Sequence, residues 1–166
     1  MTTIGFPPLE GKDPKILILG SIPGIGSIRA GEYYFDGSNR MWSVLSALTS
    51  EQLPSSYEEK KALLYKHGFA LWDYYYKVER TSSKDKDIES GEPNDFKSYL
   101  LSHPSIKVIA INGFGKYRKF GQGLISICYE LKRPVIVLRL PETSGLNEMW
   151  PLDKLIEVWK TILRYV

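Results

Sequence analysis

The segment from Leu19 to Trp42, LGSIPGIGSIRAGEYYFDGSNRMW, gathers glycines at 20, 24, 26, 31 and 37, the consecutive aromatics Tyr33, Tyr34 and Phe35, and Asn39. Aromatic faces stack on planar ligands and glycine-rich turns offer backbone N–H groups to negative charge, so the combination suits a heterocyclic ligand; core packing is the other use of the three rings. A dinucleotide-binding loop does not fit. The third glycine of a GxGxxG beginning at Gly24 would fall on Arg29, and Pro23 interrupts the strand-to-helix turn. A second candidate is RLPETSGLNEMW, Arg139 to Trp150, where the turn-forming pair Ser144-Gly145 precedes an outward Leu146 and Asn147; an ordinary surface turn is the alternative. Asp73 and Asn112 each close an apolar run. Such residues often cap a neighbouring element, but the Asn112 amide also carries the donor and acceptor needed to read an amide-like edge.

Other chemistries are poorly supplied. One cysteine, Cys128, excludes an intramolecular disulfide, and with only two histidines, neither in an HExxH pattern, most zinc sites are excluded too. Metal-free chemistry is the expectation. The net charge of +3 says little about partners. Its distribution says more, since residues 115–133 hold Lys116, Arg118, Lys119, Lys132 and Arg133 against Glu130 alone. That stretch reads either as a solvated helix face or as a phosphate-binding surface.

These residues need a frame. Apolar runs at 15–19, 68–72, 106–111 and 134–138 have the form of strands buried on both faces, and helical patterns lie between them. Ser56 with Glu59 opens a helix ending near His67, Asn94 or Asp95 caps another ending near Ser102, residues 115–131 are helical despite Gly121 and Gly123, and 152–165 carries one apolar stripe. Alternating strands and helices predict a parallel sheet covered on both faces, with ligands beyond the carboxyl ends of its strands. The stretch after Leu19 reads as a long functional loop. At 166 residues and 43% hydrophobic composition, one domain spanning 1–166 is expected. No apolar run approaches a membrane span, and the opening MTTIGFPPLEGKDPK has no signal-like stretch, so a cytoplasmic protein is expected.

Five motifs in one collinear order carry a family resemblance: GSIPG at 20–24, YYFDGSNRMWSVL at 33–45, GFALWD at 68–73, NDFKSYLLSHPSIKVIAING at 94–113 and LPETSGLN at 140–147. Together they resemble the uracil-DNA glycosylase superfamily, nearest its DNA-deoxyinosine (hypoxanthine) branch and next nearest its mismatch-specific uracil branch. The resemblance implies a three-layer α/β/α sandwich on a short, mostly parallel four-stranded sheet. It also implies DNA as partner, no cofactor, and a nucleoid-associated monomer. Ser21 stands where the mismatch-specific branch has a catalytic Asn, and Asn39 aligns with the Asn that the deoxyinosine branch is thought to use. Asp36-Gly37 replaces that branch's usual HP, Arg80-Thr81-Ser82-Ser83-Lys84-Asp85 its R-E-G-S-x-D, and ETSGL its STSPA; the SGLN ending is closer to the mismatch-specific branch.

On this resemblance the enzyme hydrolyses the N-glycosidic bond of a deaminated base, hypoxanthine or uracil, flipped out of DNA. Leu146, in the Ser144–Asn147 turn, would fill the vacated stack. Tyr33, Tyr34 and Phe35 would sandwich the base, Asn112 would bond its edge, and Gly20 and Pro23 would border it. Asn39, with Ser21 as second candidate, would serve catalysis, and Lys116 and Arg118 would meet the DNA backbone. Two other readings compete: a non-catalytic α/β module binding a nucleotide or DNA, and a hydrolase built on the carboxylate of Asp36 or Asp73.

Overall fold

The computed structural model describes residues 1–166. In chain order the strands are β1 (Thr2–Ile4), β2 (Ile16–Gly20), β3 (Phe69–Asp73), β4 (Tyr75–Arg80), β5 (Ile88–Pro93), β6 (Val108–Asn112) and β7 (Ile136–Leu140). The helices are α1 (Ile25–Ala30), α2 (Met41–Thr49), α3 (Tyr57–His67), α4 (Phe96–Ser102), α5 (Phe114–Lys116), α6 (Gln122–Glu130) and α7 (Leu152–Trp159). The four apolar runs form the predicted parallel sheet, in the order β3-β2-β6-β7, each strand ending one or two residues later than its hydrophobic pattern. Every residue of β2, β3 and β6 is buried, which is why these strands read as continuous runs rather than alternations.

Alternate side chains enter two separate cores. Ile16, Ile18, Phe69, Leu71, Val108 and Ala110 pack against Val44 and Leu45 of α2, Leu64 of α3, and Leu155 and Trp159 of α7. Leu17, Leu19, Ala70, Trp72, Ile109 and Ile111 pack on the other face against Phe96 and Leu100 of α4 and Leu124 and Cys128 of α6. The expected three-layer sandwich is therefore present. From β2 the chain passes outward to β3 and then crosses to β6, so the sheet reverses direction between β2 and β6. A crevice opens where such a reversal occurs, beyond the strands' carboxyl ends.

Local signals place the helices as the sequence predicts. Ser56 Oγ accepts from Glu59 N, the Glu59 carboxylate accepts from Ser55 N at 2.8 Å, and Asp95 Oδ1 accepts from Ser98 N. The final stripe is α-helical only to Trp159 and then tightens into a 3₁₀ segment, Lys160–Tyr165. Between α5 and α6 the backbone widens into a π-helical turn, Tyr117–Gly121.

Two features depart from the predicted pattern. The stretch after β2 is not one long loop, because α1 occupies Ile25–Ala30. In addition β1, β4 and β5 form a second, antiparallel sheet, where the sequence shows no strand pattern over 75–93. β1 has three residues, and β5 reads IESGEP, whose glycine and proline are turn signals. Its backbone is recruited by pairing with β4, not by burial of its own side chains. This sheet matters to the site, since the β4–β5 turn hangs over the end of the main sheet. No helix is long and apolar enough to cross a membrane.

The basic stretch 115–133 is dispersed rather than presented as one face. Arg133 donates to the carbonyls of Leu100, His103, Pro104 and Ile106, and Lys119 lies over the rings of Tyr75 and Phe120. Nearer the C-terminus, fully buried Trp159 donates from Nε1 to Pro141 O at 3.0 Å, tying α7 to the loop after β7. Trp159→Phe removes that bond and part of the ring; we expect it to lower unfolding free energy by about 1–3 kcal/mol with an unchanged urea m-value.

Candidate active site

The carboxyl ends of β2, β3 and β6 and the loop after β7 enclose a cleft of about 890 Å³. Gly20, Ser21, Asp73, Asn112 and side chains of the loop after β7, among them Glu142, Ser144 and Asn147, form its wall, joined by Tyr34, Asp36, Asn39 and the turn Ser83–Lys86. The crevice thus lies where the strand order reverses.

Asn39 is held by a short turn. Asp36 Oδ1 accepts from Ser38 N at 2.8 Å and Ser38 Oγ at 2.7 Å, and Asn39 N donates to Asp36 O at 2.9 Å. These bonds also keep the Asp36 carboxyl below its ordinary pKa, so this exposed residue is a turn former with its charge already used. Asn39 Oδ1 accepts from Met41 N and from Thr143 Oγ1, both at 2.9 Å. Asn39 therefore accepts from the first N–H of α2, two residues on, and lines the cleft at the same time. With its oxygen taken by two donors, the amide nitrogen is the end left for a ligand.

Asn112 is oriented by the same threonine. Its Nδ2 donates to Thr143 Oγ1 at 3.1 Å and to Tyr34 OH at 3.4 Å, while its Oδ1 accepts from Thr143 N at 3.0 Å. The buried Thr143 hydroxyl accepts from Asn112 and donates to Asn39, so a single proton direction runs through all three side chains. Asn39 is consequently an N–H donor toward the cleft. Asn112 keeps one lone pair of Oδ1 as an acceptor.

The aromatic triplet does not act as a set. Tyr33 borders the cleft but packs in the core, edge-on to Phe6 at 5.1 Å, with its hydroxyl donating to Pro7 O. Tyr34 has φ +51° and turns its hydroxyl to the site. Phe35 is about half exposed and anchored through its N–H to Ser27 Oγ. The left-handed residue in the middle of the run sends the three rings in different directions, which an unbroken YYF pattern does not disclose.

Ser21 Oγ donates to Asp85 Oδ1 at 2.5 Å, and Lys116 Nζ bridges Asp85 at 3.3 Å and Glu142 at 3.0 Å. Burial opposes the charge on Lys116, yet Asp85 and Glu142 together hold its pKa above the ordinary lysine value. Lys116 therefore belongs to the cleft wall with its charge matched. Arg118 is exposed on the π-helical turn, outside the cleft.

Asp73, the last residue of β3, is 5% exposed, and its Oδ2 has no donor from the chain. Burial first, and then Asp85, push its pKa up to about 7 against the opposing charges of Lys116 and Arg80. Gly20, its partner across the sheet, is obligatory: a Cβ there would collide with the Asp73 carboxyl.

Ser144, Gly145, Leu146 and Asn147 form one turn at the cleft mouth, as expected. Leu146 is 79% exposed at its tip and Met149 is 87% exposed beside it. Arg40, absent from the sequence expectations, holds this loop. Its guanidinium donates to the carbonyls of Thr143, Ser144, Asn147 and Trp150, and its backbone N–H donates to Thr143 O at 3.0 Å. Gly145 lies so close to Ser38 that a Cβ would sit 2.7 Å from Ser38 atoms. Loss of the guanidinium in Arg40→Gln should speed amide hydrogen exchange across 143–150 at least tenfold while leaving β2 and β6 protected; unchanged exchange in the loop would contradict the clamp.

Comparison with known proteins agrees with this arrangement. A family model described as the uracil DNA glycosylase superfamily matches residues 7–163. A hypoxanthine DNA glycosylase of Methanosarcina acetivorans is 32% identical over 164 residues, covering 97% of this chain and 98% of the relative. Another hypoxanthine DNA glycosylase, from Methanosarcina barkeri, is 34% identical over 110 residues, covering 66% and 70% of the two chains. The solution NMR structure of a Methanosarcina acetivorans protein described as a uracil DNA glycosylase superposes with a TM-score of 0.79 at 29% identity, over 99% of this chain and 98% of that one. Sheet order, cleft position and sequence match along almost the whole length thus converge: the chain belongs to the uracil DNA glycosylase superfamily.

Proposed function

We propose that this DNA N-glycosylase removes hypoxanthine from DNA, hydrolysing the glycosidic bond of a nucleotide turned out of the helix into the cleft. The observation that carries the reading is the Asn39–Thr143–Asn112 chain of hydrogen bonds, which fixes one amide donor and one amide acceptor as neighbours in one cleft. The names of the two Methanosarcina relatives support hypoxanthine as the base.

A glycosidic bond inside a duplex is out of reach, so the nucleotide must be extruded at a cost of a few kcal/mol. Leu146, exposed at the tip of a loop that Arg40 stiffens, fills the gap and offsets that cost. In the cleft, the free lone pair of Asn112 Oδ1 accepts the N1–H of hypoxanthine, a group uracil mimics with its N3–H. Cleavage builds positive charge on the sugar and negative charge on the base. Asn39 is no general base, because an amide does not take up a proton near neutral pH. Its N–H group stabilises the developing charge or holds the attacking water. Ser21 is a positioning residue, its hydroxyl engaged with Asp85. Outside the cleft Arg118 meets a phosphate, and the enzyme works as a monomer where the DNA is.

The test is release of free base from labelled oligonucleotides carrying inosine, uracil or xanthine, with EDTA present. Hypoxanthine release that leaves an intact abasic strand supports the reading, and tight binding without release contradicts it. Asn39→Ala should lower the single-turnover rate by roughly two to three orders of magnitude with little change in DNA affinity. Because Asn39 Oδ1 also accepts from Met41 N and Thr143 Oγ1, the variant should lose about 1–3 kcal/mol of stability, so the rate is measured well below its melting temperature. Leu146→Ala should slow excision most from well-paired duplex and least from single strands; equal losses on both would contradict the wedge.

A further inference from the structure

We propose that the Asp73 carboxyl group is the general acid of this site, passing its proton to the hypoxanthine ring as the bond to the sugar breaks. The inference rests on the glycosylase reading and adds a second catalytic residue to it. Three observations support it. Asp73 ends β3 directly beside Gly20 and lines the cleft. It is buried, and Oδ2 finds no donor anywhere in the chain, although the side chain lies at the wall of a site built for a ligand. Its neighbourhood, moreover, gives it no dedicated counter-ion.

The groups that face it come from every surrounding segment. Lys116 of α5 is shared between Asp85 and Glu142, Asp85 of the β4–β5 turn repels a second carboxylate, and Tyr33 and Tyr34 are neutral phenols. Arg80 of β4 is the weaker of the two opposing cations, its terminal nitrogens buried without partners. A carboxyl group so placed is most stable with its proton on. A neutral acid in a dry wall donates to an acceptor, and a purine ring presents such acceptors at N3 and N7.

The chemistry balances. The C1′–N9 electron pair goes to the purine while the Asp73 proton moves to a ring nitrogen, so neutral hypoxanthine leaves. Water then bonds to C1′, and the proton it sheds restores the carboxyl group. Uracil leaves readily as an anion whose charge an amide donor can meet, and gains less from an acid. This makes Asp73 a purine-directed device within a site whose amides suit either base.

Single-turnover excision of hypoxanthine and uracil from pH 5 to 9, by wild type and Asp73→Asn, decides the matter. Wild-type hypoxanthine release should fall as pH rises through about 7. Asp73→Asn should lose roughly a hundredfold at pH 6, with that alkaline limb flattened and DNA binding intact, while any uracil release changes only a few-fold. Unchanged hypoxanthine release in the variant overturns the proposal. So does a wild-type rate that climbs through this range and collapses in the variant, which would make Asp73 a base. Absence of base release by the wild type would overturn the glycosylase reading itself.

Stability gives a readout independent of turnover. Between the ordinary carboxylate pKa and about 7 the folded chain holds a proton that the unfolded chain has lost, so stability falls as pH rises across that window. The denaturation midpoint of Asp73→Asn should therefore exceed that of the wild type at pH 8 and match it near pH 4. A variant no more stable than the wild type at pH 8 would show that ionising Asp73 costs the folded enzyme nothing, as for an ordinary carboxyl group, and overturn the proposal.

Discussion

Thr143 has no exposed surface, and all three of its polar atoms are bonded, between them to three parts of the chain. Its N–H and hydroxyl meet the amide of Asn112 at the end of β6, its hydroxyl also meets Asn39 at the start of α2, and its carbonyl accepts from Arg40. The main sheet, the helix after the glycine-rich stretch and the loop after β7 are joined at this one residue. The backbone N–H groups of Met41 and Thr143 fix which way the two amides face, because reversing either would set two donors face to face, and the hydroxyl completes the chain between them. The polarity of the cleft walls follows from that constraint.

The rest of the site is arranged around charge. Lys116 is shared between Asp85 and Glu142 in the wall, Ser21 is drawn onto Asp85, and Asp73 is left without a partner of its own. Burial raises the pKa of the unpaired carboxyl group and leaves the paired lysine charged. One cleft thus holds a lysine bridging two carboxylates and, apart from them, a titratable acid. The apolar rim of Leu146 and Met149 lies outside this polar interior.

How much of this was legible in the sequence depended on the range of the interaction. The parallel strands were visible because burial on both faces makes a continuous apolar run, and Ser56 and Asp95 were visible because a cap bonds within three residues. The antiparallel sheet was not, because β5 is strand only through its pairing with β4 and carries Gly91 and Pro93. Asn39, Asn112 and the 144–147 turn were found from their positions at strand ends and in motifs. Arg40 and Thr143 lie within those same motifs, yet their roles span 103 residues of sequence separation and leave no local trace. The division of Tyr33, Tyr34 and Phe35 was hidden for a different reason: it depends on one positive φ.

The central claim is that Thr143 acts through the amides it orients, and a double-mutant cycle measures it directly. Thr143→Val preserves shape and removes the hydroxyl, and its effect on single-turnover hypoxanthine excision is compared in the wild-type and Asn39→Ala backgrounds. The account predicts a loss of roughly tenfold or more in the wild-type background and only a small further loss once Asn39 is gone. Losses that multiply in full would show the two residues acting independently and contradict it.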